Sequence, residues 1–154
     1  MHPRLLSFAV RLRAEAFRRL RIDTRGVRVV AHNRAGDVLL VRHRYGASDL
    51  WMLPGGGVGR REDFAAAAAR ELLEETGCRA ATLALFAEYV STAEGRRDTL
   101  QLYVATSDDV PVPQPSEIAE ARFFSRDALP AKATRATRQR IAEVFGEIEA
   151  DGRW

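Results

Sequence analysis

The chain is 154 residues long, which is enough for one domain with a single hydrophobic core, and its 46% hydrophobic and 29% charged residues are typical of a globular protein. No apolar run approaches the roughly 18 residues of a membrane span, and the lone Cys78 excludes an internal disulfide, so we expect a cytoplasmic protein. The net charge of +3, carried almost entirely by arginine, indicates a basic surface that would attract a polyanionic substrate.

Residues 3–22 are predicted to form an amphipathic basic helix. Its apolar positions recur at helical spacing among arginines, and they are Leu5, Phe8, Leu12, Ala16 and Leu20. Such a helix packs on its own domain or on a second subunit, or it anchors the protein to a membrane surface or a nucleic acid. We expect residues 1–22 to form this helix and residues 23–154 to form the main domain, with a homodimer through the helix as one hypothesis.

Two strands joined by a turn are predicted next. Apolar and β-branched residues dominate residues 26–31 and 38–43, and the turn at residues 33–37 contains asparagine, glycine and aspartate. Residues 50–53 then lead, as a short extended segment, into a glycine turn at residues 54–57, which reads Pro-Gly-Gly-Gly. Glycines let the backbone approach an ion or a phosphate closely.

An alanine-rich helix follows the glycine turn. Asp63 is its predicted N-cap, and Gly77 is its expected end. At about 100° per residue, Glu71, Glu74 and Glu75 fall within one arc of the helix surface. A neighbouring stripe is expected to pack on a sheet, and it consists of Ala65, Ala69, Leu72 and Thr76.

The three glutamates indicate a metal site. Like charges at these spacings destabilise a helix, a divalent cation removes the penalty, and oxygen ligands suit Mg²⁺ or Mn²⁺. A solvated acidic face is the alternative for an arbitrary helix of this pattern. The preceding glycine turn and Arg70, which can orient a carboxylate through charge-assisted hydrogen bonds, favour the metal site.

The rest of the chain predicts a hairpin, a further strand and a second helix. Residues 82–90 and 99–106 alternate like a hairpin, residues 110–115 form a proline-rich loop, and residues 118–124 form a strand. Residues 134–150 predict a helix with an apolar inner face, formed by Ile141, Val144, Phe145 and Ile148. Helices that flank a mixed β-sheet make an α/β sandwich.

Residues 56–78 carry a pattern that resembles the Nudix box, the signature of hydrolases that cleave a nucleoside diphosphate linked to another moiety. The pattern reads G-x5-E-x7-R-E-L-x-E-E-x-G-C, and every specified position is filled, with Cys78 where a small hydrophobe is usual. Two departures lie outside the strict box, because many members have an acidic residue at the position of Gly59 and a glycine at that of Arg61. The resemblance implies the Nudix α/β/α sandwich with a mixed sheet, to which the N-terminal helix is an addition.

The resemblance also implies roles for the box residues. Mg²⁺ or Mn²⁺ would be held by oxygen atoms of the turn and the helix, supplied by Gly55 or Gly56 and by Glu62, Glu71, Glu74 and Glu75. The general base in this family often lies outside the box. Glu117, at the end of the proline-rich loop, is the first candidate, Glu120 is the second, and Glu71 is an alternative within the box.

Substrate contacts are expected around the glycine turn. Gly56 and Gly57 would approach the phosphates through their backbone, and Arg42 and Arg44 would clamp phosphate through bidentate hydrogen bonds. Trp51, beside the glycines, would stack on a base. Exposed strand arginines and a core tryptophan are the alternatives.

We make two further predictions, for Arg28 and His43 on the same two strands. Arg28 is another candidate phosphate clamp. His43 has the opposite strand parity to Arg42 and Arg44, so we expect it to be a packed or surface residue rather than a ligand.

The resemblance therefore implies a metal-dependent pyrophosphohydrolase, and the compact chain favours a (deoxy)nucleoside triphosphate or a small nucleotide derivative as its substrate. Hydrolysis of a capped RNA 5′ end or of a nucleotide sugar is one alternative. A nucleotide-sensing domain that binds without cleaving is another, although such a domain would be expected to lose box carboxylates that this chain retains.

Overall fold

The computed structural model describes residues 23–154 except residues 47, 94 and 95. The predicted helix at residues 1–22, and with it the proposed domain division, lies outside the described residues. The elements in chain order are β1 (Thr24–His32), β2 (Val38–His43), β3 (Trp51–Met52), α1 (Phe64–Thr76), β4 (Thr82–Ala93), β5 (Arg96–Thr106), β6 (Ile118–Phe124), a 3-10 turn (Arg126–Ala128) and α2 (Arg135–Val144). Across this part of the chain, neither helix has the length and apolar character needed to cross a bilayer.

The described strands form one mixed sheet in the order β3-β2-β1-β5-β4, with β6 paired to β2. β1 runs parallel to β5, and the other pairs are antiparallel. β1 pairs with β2 at His32 and Val38, beside their turn. Further along β1 its partner is the glycine turn, because the Val27 and Val29 N–H groups donate to the carbonyls of Gly56 and Pro54, both at 2.9 Å. The sheet itself therefore fixes the position of the glycine turn.

Side-chain alternation along the strands builds a core on each face of the sheet. Val27, Val29 and Ala31 of β1 pack on one face with residues of α1. Val30 points to the other face, where the core includes Ile141 of α2. This arrangement confirms the expected α/β sandwich with a mixed sheet.

The buried side of α1 is rotated from the expected one. Ala67 and Ala68 are fully buried with Leu72 and Thr76, whereas Ala65 and Ala69 are half-buried. The rotation has a chemical consequence, because it also carries Glu75 to the buried side. Small side chains at positions 67 and 68 let the helix backbone lie close to β1.

Two element boundaries differ from the sequence expectation. α2 ends at Val144 rather than at residue 150, because Gly146 adopts a positive φ of 73° and closes the helix with a left-handed cap. Ile148 consequently lies beyond the helix and is exposed. The β4–β5 hairpin extends further toward its tip than expected, with Thr92 still paired to Arg97.

Candidate active site

The acidic helix begins and ends where its capping residues stand. The Asp63 carboxylate accepts hydrogen bonds from the N–H groups of Ala65 at 3.3 Å and Ala66 at 3.0 Å. Gly77 adopts a φ of 70°, and its N–H donates to the Leu73 carbonyl at 2.8 Å. Both predicted ends are confirmed, and they fix the rotation of the glutamates about the helix axis.

Two glycines of the turn are required for different reasons. Gly55 adopts a φ of 143°, and a Cβ there would lie 2.2 Å from the Val27 carbonyl oxygen. At Gly56 a Cβ would lie 2.6 Å from the carboxyl carbon of Glu71. The backbone of β1 therefore excludes a side chain at position 55, and the Glu71 carboxylate occupies the space of one at position 56.

Arg70 connects the carboxylates on the outer side of the site. Its Nε donates to Glu62 at 2.7 Å, and its Nη1 donates to Glu71 at 2.8 Å and to Glu74 at 3.1 Å. Its Nη2 donates to the Gly57 carbonyl at 3.0 Å. These bonds tie the glycine turn to α1, as expected for an arginine that orients neighbouring carboxylates.

Glu62 is held in its ionised form by this network. Hydrogen bonds from Arg70, and then from the Gly59 N–H at 2.9 Å, lower the pKa of Glu62 to about 2. The same carboxylates raise the pKa of Arg70. Arg70 thus links Glu62 to the helix glutamates, and the hydrogen bond from the Gly59 N–H holds the Glu62 carboxylate in place.

Glu75 occupies a very different environment, because it is only 5% exposed. One carboxylate oxygen accepts from the Gly55 N–H at 2.9 Å. Burial raises its pKa to about 7, the charges of Glu71 and Glu117 act in the same direction, and Arg28 and the Gly55 N–H oppose them. The three glutamates therefore differ in solvent exposure, because Glu75 is buried whereas the Glu74 side chain is 52% exposed.

His43 lies beside Glu75, on the face of β2 opposite to that of Arg42. Its Nε2 is 3.8 Å from the Glu75 carboxylate, and its pKa is lowered by burial and then by the charge of Arg28. Alternation along β2 places His43 with Leu39 on the α1 side of the sheet, and the register shift between Arg42 and His43 skips Ala119 of β6.

The proline-rich loop brings Glu117 to the site. The Val112 N–H donates to the Thr76 carbonyl at 2.7 Å, and the Gln114 N–H donates to the Glu75 carbonyl at 3.3 Å. The loop thereby satisfies carbonyls at the C-terminal end of α1. The Glu117 carbonyl accepts from the Arg44 N–H at 2.8 Å, and its carboxylate is exposed and close enough to act on Glu75.

The structure gives the predicted substrate residues different surroundings. Arg42 donates to the Glu120 carboxylate and to the Ser48 carbonyl. The predicted phosphate clamp and the second candidate for the general base are therefore paired with each other. Arg44 is exposed. Trp51 is 9% exposed in the core, with Phe124 edge-on to its ring, which leaves little of its surface for stacking on a base.

Arg28 lies deeper in the site than its strand neighbours. Burial lowers its pKa, while the charges of Glu75 and Glu71 raise it. Its backbone lies against Gly55, whose N–H binds Glu75, so Arg28 is close to the acidic helix. Among the three strand arginines predicted to clamp phosphate, it is the one whose charge acts on the box glutamates.

The donor set suits a hard divalent cation. Carboxylates and a backbone carbonyl are the oxygen ligands that Mg²⁺ and Mn²⁺ prefer. The Glu71 carboxylate lies against Gly56, in space that a Cβ at that position would fill. Within the described residues, no three acidic, histidine or cysteine side chains already converge as ligands do. Arg70 accounts for this, because it draws Glu71 and Glu74 to its own guanidinium.

Comparison with known proteins adds independent evidence. The family model described as NUDIX domain matches residues 23–145. A CMP-5'-(N-acetyl-N-hydroxy-3-aminopropyl)phosphonate hydrolase from Streptomyces rubellomurinus is 40% identical over 96 residues, which cover 61% of this chain and 46% of that protein. An RNA pyrophosphohydrolase from Bartonella bacilliformis is 42% identical over 66 residues, covering 38% of this chain and 39% of that protein. The matched segments thus span less than half the length of either curated relative.

Solved structures share the fold. A MutT NUDIX hydrolase from Burkholderia pseudomallei superposes with a TM-score of 0.67 at 28% identity, covering 79% of this chain and 98% of that one. A UDP-X diphosphatase superposes with a TM-score of 0.64 at 23% identity, covering 81% of this chain and 64% of the other. The second likeness concerns the fold alone.

Proposed function

This chain belongs to the Nudix family, and from that premise we propose that it is a metal-dependent pyrophosphohydrolase acting on a nucleoside diphosphate linked to another moiety. The observation that carries the proposal is the contact between the glycine turn and the acidic helix. Gly56 leaves space for the Glu71 carboxylate, and the Gly55 N–H binds Glu75. If the turn and the helix had only a structural role, there would be no reason for two carboxylates to pack against the backbone of its glycines.

The residues that would hold Mg²⁺ or Mn²⁺ are Glu71, Glu74 and Glu75 with a carbonyl of the turn. Gly55 is the better carbonyl ligand, because the Gly56 carbonyl accepts from Val27 in the sheet. A bound divalent cation supplies positive charge that neutralises phosphate oxygens and lowers the pKa of water. Ionised Glu75 also gains from a nearby cation, since Arg28 and the Gly55 N–H offset its burial only in part.

Side chains of the chain perform the remaining tasks. Arg70 holds Glu71 and Glu62 in fixed orientation through its fork of donors. Arg28 offers a guanidinium to a phosphate that reaches the box. Glu117 is the proposed proton acceptor, because its carboxylate is exposed while hydrogen bonds of its backbone hold its loop in place.

The substrate class we favour is a (deoxy)nucleoside triphosphate or a small nucleotide derivative. One matched relative is named for a cytidine monophosphate conjugate, and this agrees with a small nucleotide substrate. A second candidate is the 5′ end of RNA, because the other relative is an RNA pyrophosphohydrolase and the chain carries a net charge of +3.

A panel of nucleoside triphosphates, nucleotide sugars, dinucleotides and 5′-triphosphorylated RNA, assayed with Mg²⁺ and Mn²⁺, tests the proposal. We expect cleavage of a phosphoanhydride bond in at least one member, with loss of activity on chelation. Glu149→Gln, which changes an exposed carboxylate after α2, is the matched control and should cleave at the wild-type rate. A panel with no cleavage in either metal would contradict the proposal.

A further inference from the structure

The C-terminal tail, residues 151–154, is fastened over the core that α2 covers. The buried Arg140 of α2 donates through Nη1 to the Arg153 carbonyl at 2.6 Å, and its Nη2 lies 3.8 Å from the Asp151 carboxylate. Its guanidinium carbon lies 5.5 Å from the centre of the Trp154 ring. The tail is thus held by a buried charged side chain at several points.

Trp154 is supported on two sides and open elsewhere. Arg140 lies over its ring, and the Tyr89 ring meets it at 5.3 Å with an interplanar angle of 63°. The residue is nevertheless 50% exposed. A tryptophan that is held in place and still half-exposed is a preorganised surface for stacking against a planar ligand.

Trp154 also lines two cavities, and one of them lies beside the glycine turn. The smaller cavity has a volume of about 170 Å³ and is bounded by Arg28, Met52 and Thr137 among others. Leu53 also lines this cavity, and the Arg28 backbone lies against Gly55, whose N–H binds Glu75, so the cavity adjoins the glycine turn. The larger cavity, of about 550 Å³, lies between the tail and strands β4 and β5.

The walls of the larger cavity combine apolar and polar groups in the way that a nucleoside requires. Val90 and Leu100 supply apolar surface, and Ser91 and Asp98, whose carboxylate already accepts from the Thr24 hydroxyl, supply oxygen atoms. Its volume lies within the range of small-molecule sites, roughly 300–1,000 Å³. A carboxylate repels a phosphate but accepts hydrogen bonds from sugar hydroxyls or an exocyclic amine, so the phosphates belong in the smaller cavity, beside Arg28.

We propose that the tail completes a nucleoside subsite in which Trp154 stacks on the base of the substrate, with Asp98 facing its polar groups and Arg28 facing its phosphates. The inference rests on the proposed function, because it places the non-reacting part of the same nucleotide. It assigns base recognition to Trp154 in place of Trp51, which is buried.

Fluorescence titration tests the subsite without turnover, because Trp154 and Trp51 are the two tryptophans and Trp51 is buried. We expect nucleoside monophosphates, tested as AMP, GMP, CMP and UMP, to change the emission of Trp154. Calorimetry should show that Trp154→Ala raises the Kd of the best of these about 10- to 100-fold, the loss typical of a base–aromatic stack. The Kd of inorganic pyrophosphate, which lacks a base, should change less than about twofold.

Two controls separate stacking from folding. Trp154→Phe keeps an aromatic ring and should bind the monophosphate within about threefold of wild type, and Arg34→Ala, at an exposed ion pair with Asp108, should bind as wild type. An unchanged Kd in Trp154→Ala, an equal weakening of pyrophosphate, or no monophosphate binding at all would overturn the inference. If no member of the substrate panel were cleaved, the proposed function would be overturned. A change in Trp154 emission on addition of monophosphates would then still support the subsite.

Discussion

Two arginines on opposite faces of the sheet each connect several oxygen groups, yet their surroundings give them different roles. The Arg70 side chain is 35% exposed and contacts carboxylates of which Glu74 reaches solvent. The Arg140 side chain is 2% exposed, and its partner Glu143, at 2.8 Å, is fully buried. A network that water and ions can reach is able to exchange partners, whereas a buried one holds its groups in place. The first is suited to chemistry and the second to fastening the tail.

Neutralising a box glutamate should have the largest effect. Glu75→Gln or Glu74→Gln removes a negative charge from the expected metal ligands, so we expect turnover to be abolished while circular dichroism shows a native fold. Steady-state assays on the best substrate of the panel measure the effect, with Glu149→Gln as the matched carboxylate control. Turnover at the wild-type rate in both box variants would contradict their assigned role.

Breaking the buried pair should lower stability and leave the chemical step itself unchanged. Arg140→Leu leaves Glu143 buried without its cation, and we expect the free energy of unfolding to fall by about 3–5 kcal/mol. Urea denaturation measures it. The double variant Arg140→Leu with Glu143→Leu should recover most of the loss, since it removes both charges. A single variant within about 1 kcal/mol of wild type would show that the pair does not hold this face together.

Glu75 should make the metal-free protein less stable as pH rises. Its pKa is about 7 when folded against an ordinary 4.5, so its stabilising contribution is complete below pH 4.5 and is lost as pH rises through about 7. The free energy of unfolding should therefore decrease by roughly 3 kcal/mol across that window in the presence of a chelator. Glu75→Gln should remove this dependence. Equal pH profiles for the two proteins would contradict the assigned burial of the charge.

Arg70→Lys should have a smaller effect on turnover. Lysine keeps the charge but loses the fork that contacts Glu62, Glu71 and Glu74 together. Losing the group that orients metal ligands typically costs about 10- to 100-fold, and we expect kcat to fall by that amount. Arg138→Lys, on the exposed side of α2, is the matched control. Equal kcat in wild type and Arg70→Lys would show that the fork is dispensable.

Local signals in the sequence predicted much of this molecule. The caps Asp63 and Gly77 fixed the acidic helix, and the glycine turn was placed correctly before it. Gly146 also carried a signal for the end of α2, but the apolar residues beyond it suggested a longer helix. These features depend on neighbours in the chain, which is why composition and spacing are enough to find them.

The remaining features depend on long-range packing. His43 lies beside Glu75 because that face of β2 packs toward α1, and no local pattern encodes which face of the strand does so. An arginine in the middle of an amphipathic helix is expected to be exposed, yet Arg140 is buried because the tail returns to cover it. Trp154 lies at the end of the chain, and its position follows from that same contact.

The central claim is that divalent cations bind between the carboxylates of α1 and the glycine turn. Calorimetric titration of Mn²⁺ into the metal-free protein, alone and with a non-hydrolysable nucleotide analogue, tests it most directly. We expect saturable uptake in wild type and Glu149→Gln, and a Kd at least about tenfold higher in Glu75→Gln. Absence of uptake by the wild type under both conditions, or equal affinity in Glu75→Gln, would contradict the claim.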